Sequence, residues 1–222
     1  MNVPILYEDN HLLFVEKPVN MPVQEDQSKD QDLLNYLKED IKVRYQKPGN
    51  VYLALVHRLD RPVGGVMVFS KTSKAASRLS DAIRRQAVEK KYLAVVRGVP
   101  DKKQALLEDY LVKDKQENKV YTTHSNTKNA KKAKLEYEVI GSNNHLSLLS
   151  IKLHTGRPHQ IRVQFASRNL PLYGDQKYGE KVNQPGEQIA LWSEMLAVEH
   201  PIKKEEIKIK SQPPNIFPWN LW

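Results

Sequence analysis

His57-Arg58-Leu59-Asp60-Arg61-Pro62-Val63-Gly64-Gly65 is a polar loop, rich in turn residues, between two apolar runs, Val51 to Val56 and Val66 to Phe69. Read as strand, loop, strand, it puts a carboxylate at a turn with an arginine on either side, Arg58 and Arg61. An arginine within reach favours the ionised form of an aspartate and fixes its direction through paired hydrogen bonds. That suits a nucleophile. It equally suits an aspartate that stabilises the turn before Arg61-Pro62, and on spacing alone the turn reading is preferred.

Upstream of this loop, Ile5 to Tyr7 and His11 to Val15 read as short strands around a Glu8-Asp9-Asn10 turn. Leu33, Leu34, Leu37, Ile41 and Tyr45 recur at helical spacing, which predicts an amphipathic helix from Asp32 to Tyr45, broken by Lys47-Pro48-Gly49-Asn50. Downstream, Thr72 or Ser73 caps a helix predicted to run to Ala87, with Ala75, Ala76, Leu79, Ala82 and Ile83 on its apolar stripe. Its other face carries Lys74, Arg78, Arg84 and Arg85.

Tyr92 to Val96 reads as a strand closed by Gly98. Alternation at Ala133, Leu135, Tyr137 and Val139, and again at Leu149, Ile151 and Leu153, marks two half-buried strands. Ile161, Phe165 and Ala166 fit a short helix after the turn Thr155-Gly156-Arg157-Pro158. Ile189 to Val198 and Ile207 to Ile209 are further strands. The tail from Gln212 to Trp222 reads as irregular, with Phe217, Trp219 and Trp222 expected to pack back on the body. Strands outnumber helices and no βαβ alternation is seen, so the fold class is α+β with a mostly antiparallel sheet.

A chain of 222 residues supplies one large domain or two small ones and buries a substantial core. The absence of cysteine excludes disulfides, thiolate zinc sites, iron–sulfur clusters and cysteine nucleophiles. No apolar run approaches bilayer length, and Met1-Asn2-Val3-Pro4 lacks the layout of a secretory signal. A soluble, cytoplasmic protein is therefore expected. Lys and Arg total 35 against 26 acids, a net charge of +9. Such an excess attracts polyanions, nucleic acid above all; the plainer alternative is a lysine-rich surface kept soluble by charge. The segment Lys113 to Lys134 holds seven lysines against two acids and has little apolar periodicity. It reads as a solvated loop or as a flexible arm that meets phosphate.

Several chemistries lack their residues. The seven histidines are scattered without a His-Glu-x-x-His pair, and His154 and His159 read as hydrogen-bonding residues beside a turn, so no metal site is expected. There is no phosphate loop, no Gly-x-Gly-x-x-Gly after a strand and no Gly-x-Ser-x-Gly elbow. Carboxylates, Tyr, His and Arg remain as candidates. Leu153-His154-Thr155-Gly156-Arg157-Pro158-His159-Gln160-Ile161-Arg162 crowds donors where a strand meets a helix, as an anion or polar-ligand site does. In Glu89-Lys90-Lys91-Tyr92-Leu93-Ala94 a tyrosine opens an apolar strand, and alone it would be assigned to the core.

Together these clusters resemble the RluA-type RNA pseudouridine synthases. Glu8-Asp9-Asn10 through Lys17-Pro18 is similar to the family's opening strand. His57 to Arg61 with Gly65 and Lys71-Thr72 is similar to its aspartate motif, and Lys91 to Ala94 with Gly98 to its tyrosine motif. Thr155-Gly156-Arg157, His159-Gln160-Ile161-Arg162, Gly174-Asp175 and Tyr178-Gly179 are similar to its third motif. The matches run in family order from residue 5 to 200. Departures are Pro62-Val63-Gly64 where the family has Thr-Ser-Gly, Asn20 where Lys-Pro-x-Gly ends, and Gln164 in place of a histidine. Asn20 is compatible with a left-handed backbone.

The resemblance implies the pseudouridine synthase fold, a mixed and mainly antiparallel sheet with a central cleft, in a single catalytic domain over residues 1–222 without an N-terminal S4 domain. It implies isomerisation of uridine in RNA with no cofactor, by a monomer acting on a stem-loop of ribosomal or transfer RNA. By resemblance Asp60 is the nucleophile, Arg162 its ion-pair partner, and Tyr92 the ring that stacks on uracil and assists proton removal. His57, Arg58, Arg157, His159 and Gln160 are expected to bind substrate, with Arg58 filling the stack left by the flipped base. Lys71, Lys74, Arg78, Arg84 and Arg85 are expected to contact phosphate. The alternative is a non-catalytic RNA-binding or ribosome-assembly factor on the same fold; a carboxylate hydrolase would need a second acid opposite Asp60.

Overall fold

The computed structural model describes residues 3–143 and 145–222. Met1 and Asn2, part of the stretch read for a leader, lie outside the described residues. In chain order the elements are β1 (Ile5–Glu8), β2 (Leu12–Lys17), α1 (Leu33–Arg44), β3 (Ala54–Leu55), β4 (Gly64–Ser70), α2 (Ser73–Arg84) and β5 (Glu89–Arg97). There follow β6 (Gln104–Asp114), β7 (Lys119–Thr123), β8 (Lys131–Ser142), β9 (Leu146–Leu153), α3 (Gln160–Ala166), β10 (Leu191–Glu199) and β11 (Glu206–Lys210). The α+β class read from the sequence holds. Among the described residues no helix is long and apolar enough to cross a membrane. The chain forms two compact units, Met1–Glu89 with Ser193–Gln212, and Lys90–Trp192 with Pro213–Trp222.

In the first unit the strand order is β1-β2-β4-β10-β11, with β3 on β4. The pairings of β1 with β2, β2 with β4, β3 with β4 and β10 with β11 are antiparallel. Alternate residues point to one face of a sheet. Leu12 and Phe14 of β2, Val66 and Val68 of β4, and Leu196 and Val198 of β10 accordingly share one core cluster, which Leu79 of α2 joins. Both helices begin where the sequence places their caps. Asp32 accepts from the Asn35 N–H at 3.0 Å and Thr72 from the Ala75 N–H at 3.3 Å. α2 stops at Arg84 rather than Ala87, because Gln86 turns the chain at φ 59°.

The apolar run Val51 to Val56 gives only the two-residue β3. After Leu55 pairs with Phe69, the next N–H of β4, that of Val68, donates to the His57 imidazole at 3.1 Å, so the side chain takes the ladder's next place. Gly65, at φ +110°, has the backbone of Ser193 where a β-carbon would be. The glycine lets β10 lie close against β4, and the Ser193 hydroxyl donates to the Val66 carbonyl at 2.9 Å.

In the second unit the order is β5-β9-β8-β6-β7, antiparallel at every pairing. The segment Lys113 to Lys134 is neither a loop nor a loose arm. Its first half is the β6–β7 hairpin and its end opens β8. Val120 and Ala133 of this stretch turn inward with Leu111 just before it, against Val163 of α3, and so anchor a segment whose other side chains are mostly polar. β6 was missed because its inward positions include Asp109, held by Gln164 and Arg168, while Leu106 faces out. The tail packs back on the body as expected: Trp219 on the cluster of Val95, Leu146, Tyr173 and Ala190, Phe217 edge-on against Tyr173, and the Trp222 ring over Gly141 of β8, although Phe217 and Trp222 keep part of their surface exposed.

Candidate active site

Asp60 lies half-buried in the turn between β3 and β4, where its carbonyl accepts the Val63 N–H at 3.0 Å. The turn is fastened from β2. Lys17 is 0% exposed, and its ammonium donates to the carbonyls of Pro18 (2.9 Å), Arg61 (2.9 Å) and Val63 (2.8 Å). Three N–H groups meet three acceptors, which satisfies a lysine completely. Burial pushes the Lys17 pKa down to about 7, Asp60 working against the shift and Arg61 with it. Lys17 was read only as part of the family's opening strand. Its position at the end of a fully buried strand is the signal that it serves the interior.

The paired-arginine reading of Asp60 needs correction. Arg61 turns to the segment before α1, pairing with Asp30 and bonding Ser28 (3.1 Å) and the Asn20 carbonyl (3.2 Å). Asn20 takes the left-handed geometry anticipated for it, φ 63°. His57 is committed through Nε2 to the Val68 N–H. Arg58 is exposed, and among the described residues no hydrogen bond or ion pair engages it.

In the second unit Tyr92 sits on β5 opposite Ile151 of β9 and is 7% exposed. The third motif forms a tight turn ahead of α3. Gln160, expected among the substrate-binding residues, is instead 3% exposed and part of that scaffold. Its Oε1 accepts from the Thr155 hydroxyl (2.7 Å) and the Arg157 N–H (3.0 Å), and its Nε2 donates to the Lys134 carbonyl (3.2 Å). Arg157 donates through Nε to the Lys132 carbonyl at 2.9 Å. His154 Nε2 lies 3.0 Å from a Glu136 carboxylate oxygen on the neighbouring strand, a partner the sequence spacing hides.

Arg162 is 6% exposed and Asp175 1%. Nε meets Oδ2 and Nη2 meets Oδ1, both at 2.8 Å, a planar two-bond fork. Asp175 also accepts the Lys177 and Tyr178 N–H groups at 3.0 and 3.2 Å. The guanidinium carbon lies 5.2 Å from the centre of the Tyr178 ring, a cation–π distance. The Tyr178 oxygen accepts the Val120 N–H at 2.8 Å and lies 2.7 Å from Nδ1 of His159, which opens α3 at φ 51°. Asp175 and Tyr178 were quoted as motif residues, but their grip on Arg162 was not foreseen.

The expected phosphate contacts do not form one open face. Lys71 is tied to Glu8 at 2.7 Å over the Tyr45 ring, and Arg78 donates to the Pro201 carbonyl at 2.7 Å. Arg84 and Arg85 both reach Asp81. Lys74 alone of the five is exposed with no hydrogen bond or ion pair among the described residues.

A family model described as RNA pseudouridylate synthase matches residues 11–167, which takes in the Lys17 peg, the Asp60 turn, Tyr92 and Arg162. The chain belongs to the RNA pseudouridylate synthase family. Members isomerise uridine in RNA to pseudouridine, and the RluA-type resemblance drawn from the motifs is borne out. The chain is 32% identical over 229 residues to an uncharacterized RNA pseudouridine synthase of Aquifex aeolicus, covering 97% of this chain and 72% of that protein. It is 34% identical over 182 residues to the ribosomal large subunit pseudouridine synthase C of Buchnera aphidicola subsp. Baizongia pistaciae, covering 81% of this chain and 55% of that protein. Among solved structures, human RNA Pseudouridylate Synthase Domain Containing 4 shares the fold, with a TM-score of 0.81 at 23% identity over 95% of this chain and 88% of that one.

Proposed function

We propose that the chain converts uridine to pseudouridine in a structured segment of ribosomal RNA, with Asp60 as the nucleophile. Arg162 directs that carboxylate, and Tyr92 stacks on the uracil and assists proton removal from the ring. Ribosomal RNA is favoured over transfer RNA because relatives carry large-subunit synthase names. The substrate base is reached by flipping, and Arg58 fills its place in the stack.

The observation that carries the reading is the Lys17 peg. A carboxylate that attacks a sugar or a base must be held within a fraction of an ångström of its path. The Asp60 turn is held at Arg61 and Val63 by two hydrogen bonds from a lysine with no exposed surface, whose third bond ties it to Pro18. Arg162 complements this. A guanidinium has five N–H donors, of which the Asp175 fork engages two.

The test is Asp60→Asn, nearly isosteric and a very poor nucleophile. The variant should melt as wild type does, bind RNA as well, and form no pseudouridine even in single turnovers with enzyme in excess. A folded Asn variant that still converts uridine would falsify the assignment. A large drop in melting temperature would make Asp60 a turn residue, and absence of product from wild type on every RNA tried would favour a binding factor.

A further inference from the structure

Lys90 and Tyr92 lie two residues apart on β5, so their side chains leave the same face of the strand. The Lys90 ammonium lies over the third-motif turn, where a β-carbon at Gly156 would be 3.4 Å from Nζ. It thus sits where the tyrosine motif meets the Thr155-Gly156-Arg157 turn. Among the described residues no hydrogen bond or ion pair engages it. Burial lowers its pKa, and no charged neighbour contributes to the shift.

Lysine is retained out of water when something pairs with it, since a lone buried ammonium is costly. Lys17 shows the satisfied case, with a carbonyl for each N–H. Lys90 is half-buried rather than sealed off, and it has no such acceptors. A partly desolvated cation left without a counter-charge, beside a motif turn, marks a place where a ligand can supply it. Glycine at 156 keeps the approach to the ammonium open from the turn. Uracil is neutral, so the anion available on an RNA is a backbone phosphate.

We infer that Lys90 binds a phosphodiester of the RNA substrate, close to the nucleotide that meets Tyr92. This rests on the role proposed above for Tyr92. Removing the positive charge here loses the contact, but the protein does not need it to fold, because no internal bond is broken.

The experiment compares wild type, Lys90→Met and Lys90→Arg on an unmodified transcript of large-subunit ribosomal RNA. Affinity is measured across a salt series, alongside melting temperature and steady-state turnover. Lys90→Met should melt at the wild-type temperature or above it, since a desolvated charge is removed. Its salt slope should be smaller by about 0.7–0.9, the loss of one phosphate contact. KM should rise roughly tenfold with kcat within a few-fold, and Lys90→Arg should restore the slope. A lower melting temperature would make Lys90 structural. An unchanged slope, or a kcat that falls with KM unchanged, would equally overturn the inference. If wild type makes no pseudouridine, the functional reading fails, while the salt slopes still decide whether Lys90 holds a phosphate.

Discussion

Arg162 and Asp175 meet in a two-bond fork, Nε to Oδ2 and Nη2 to Oδ1 at 2.8 Å each, and the aspartate side chain is wholly buried. The fork fixes the plane of the guanidinium, and the Tyr178 ring lies under it. Arg162→Lys should therefore reduce turnover far more than RNA binding. An ammonium presents one compact charge and cannot hold Asp175 by two parallel bonds while directing a second carboxylate. Asp175→Asn keeps one acceptor but removes the charge, and should cost stability, about 3–5 kcal/mol by the measure of broken buried pairs. Near-normal kcat in Arg162→Lys would remove the arginine from the proposed machinery.

Tyr92→Phe separates the ring from its hydroxyl. The side chain is 7% exposed on β5, so the phenyl ring should keep its packing and RNA affinity should hold within a few-fold. If the hydroxyl takes part in proton removal, turnover falls by about 10²–10⁴-fold. Undiminished turnover would restrict Tyr92 to stacking.

The legible parts of this molecule share a physical cause. α1, α2, β8 and β9 were readable because their apolar residues recur at the period of the element, and the helices open on Asp32 and Thr72, residue types that favour helix starts; β5 was readable as a continuous apolar run. β6 escaped because the pleat carries Asp109 inward, where Gln164 donates a hydrogen bond to it and Arg168 neutralises it, a compensation distant in sequence. Asp60, Tyr92 and Arg162 could be singled out only through a resemblance. The turn at Asp60 shows an arginine on each side, but the chain sends Arg61 to Asp30 and brings Lys17 from β2 instead. Spacing along the chain contains no record of which neighbour a fold selects. The same holds for Gln160, whose donors and acceptor look suited to a ligand until Thr155 and Lys134 are seen to occupy them.

Lys17 gives a pH test with a defined sign. Its pKa in the folded chain is lowered to about 7, while in the unfolded chain it keeps the ordinary lysine value near 10.4. Between these limits the unfolded state binds more protons, so this group makes stability rise with pH. The urea midpoint of wild type should climb from pH 7 to pH 9 relative to that of Lys17→Met, which lacks the titrating group. At pH 7 the Met variant takes the Lys17 donor from the buried Val63 carbonyl, at about 1–3 kcal/mol before relaxation and relief of the desolvated charge, and from the part-buried carbonyls of Pro18 and Arg61. Its turnover should fall further than its stability, since the turn that loses its fastening carries Asp60. Parallel midpoint curves for the two proteins would show that Lys17 does not titrate in this range.

The β6–β7–β8 segment provides the last prediction. Lys113, Lys115, Lys128 and Lys131 are exposed, and among the described residues no carboxylate pairs with them. Lys132 and Lys134, by contrast, approach Glu108 at 3.1 and 3.8 Å. Lys113 and Lys131 lie on paired strands and Lys115 and Lys128 in the turns that join them, so the cations are carried on a β-scaffold with less ordering cost than a flexible arm of the same composition. Replacing the four with glutamine should leave the melting temperature within a few degrees, because exposed substitutions of this kind change stability by about 0.5 kcal/mol or less. RNA affinity should drop, and the dependence of log K on log salt should flatten by about 0.7–0.9 for each phosphate released. Turnover at saturating RNA should stay near wild type, since the hairpin lysines bind substrate without touching the reacting base. A salt slope equal to that of wild type would assign the four lysines to solvent and place the RNA on another face.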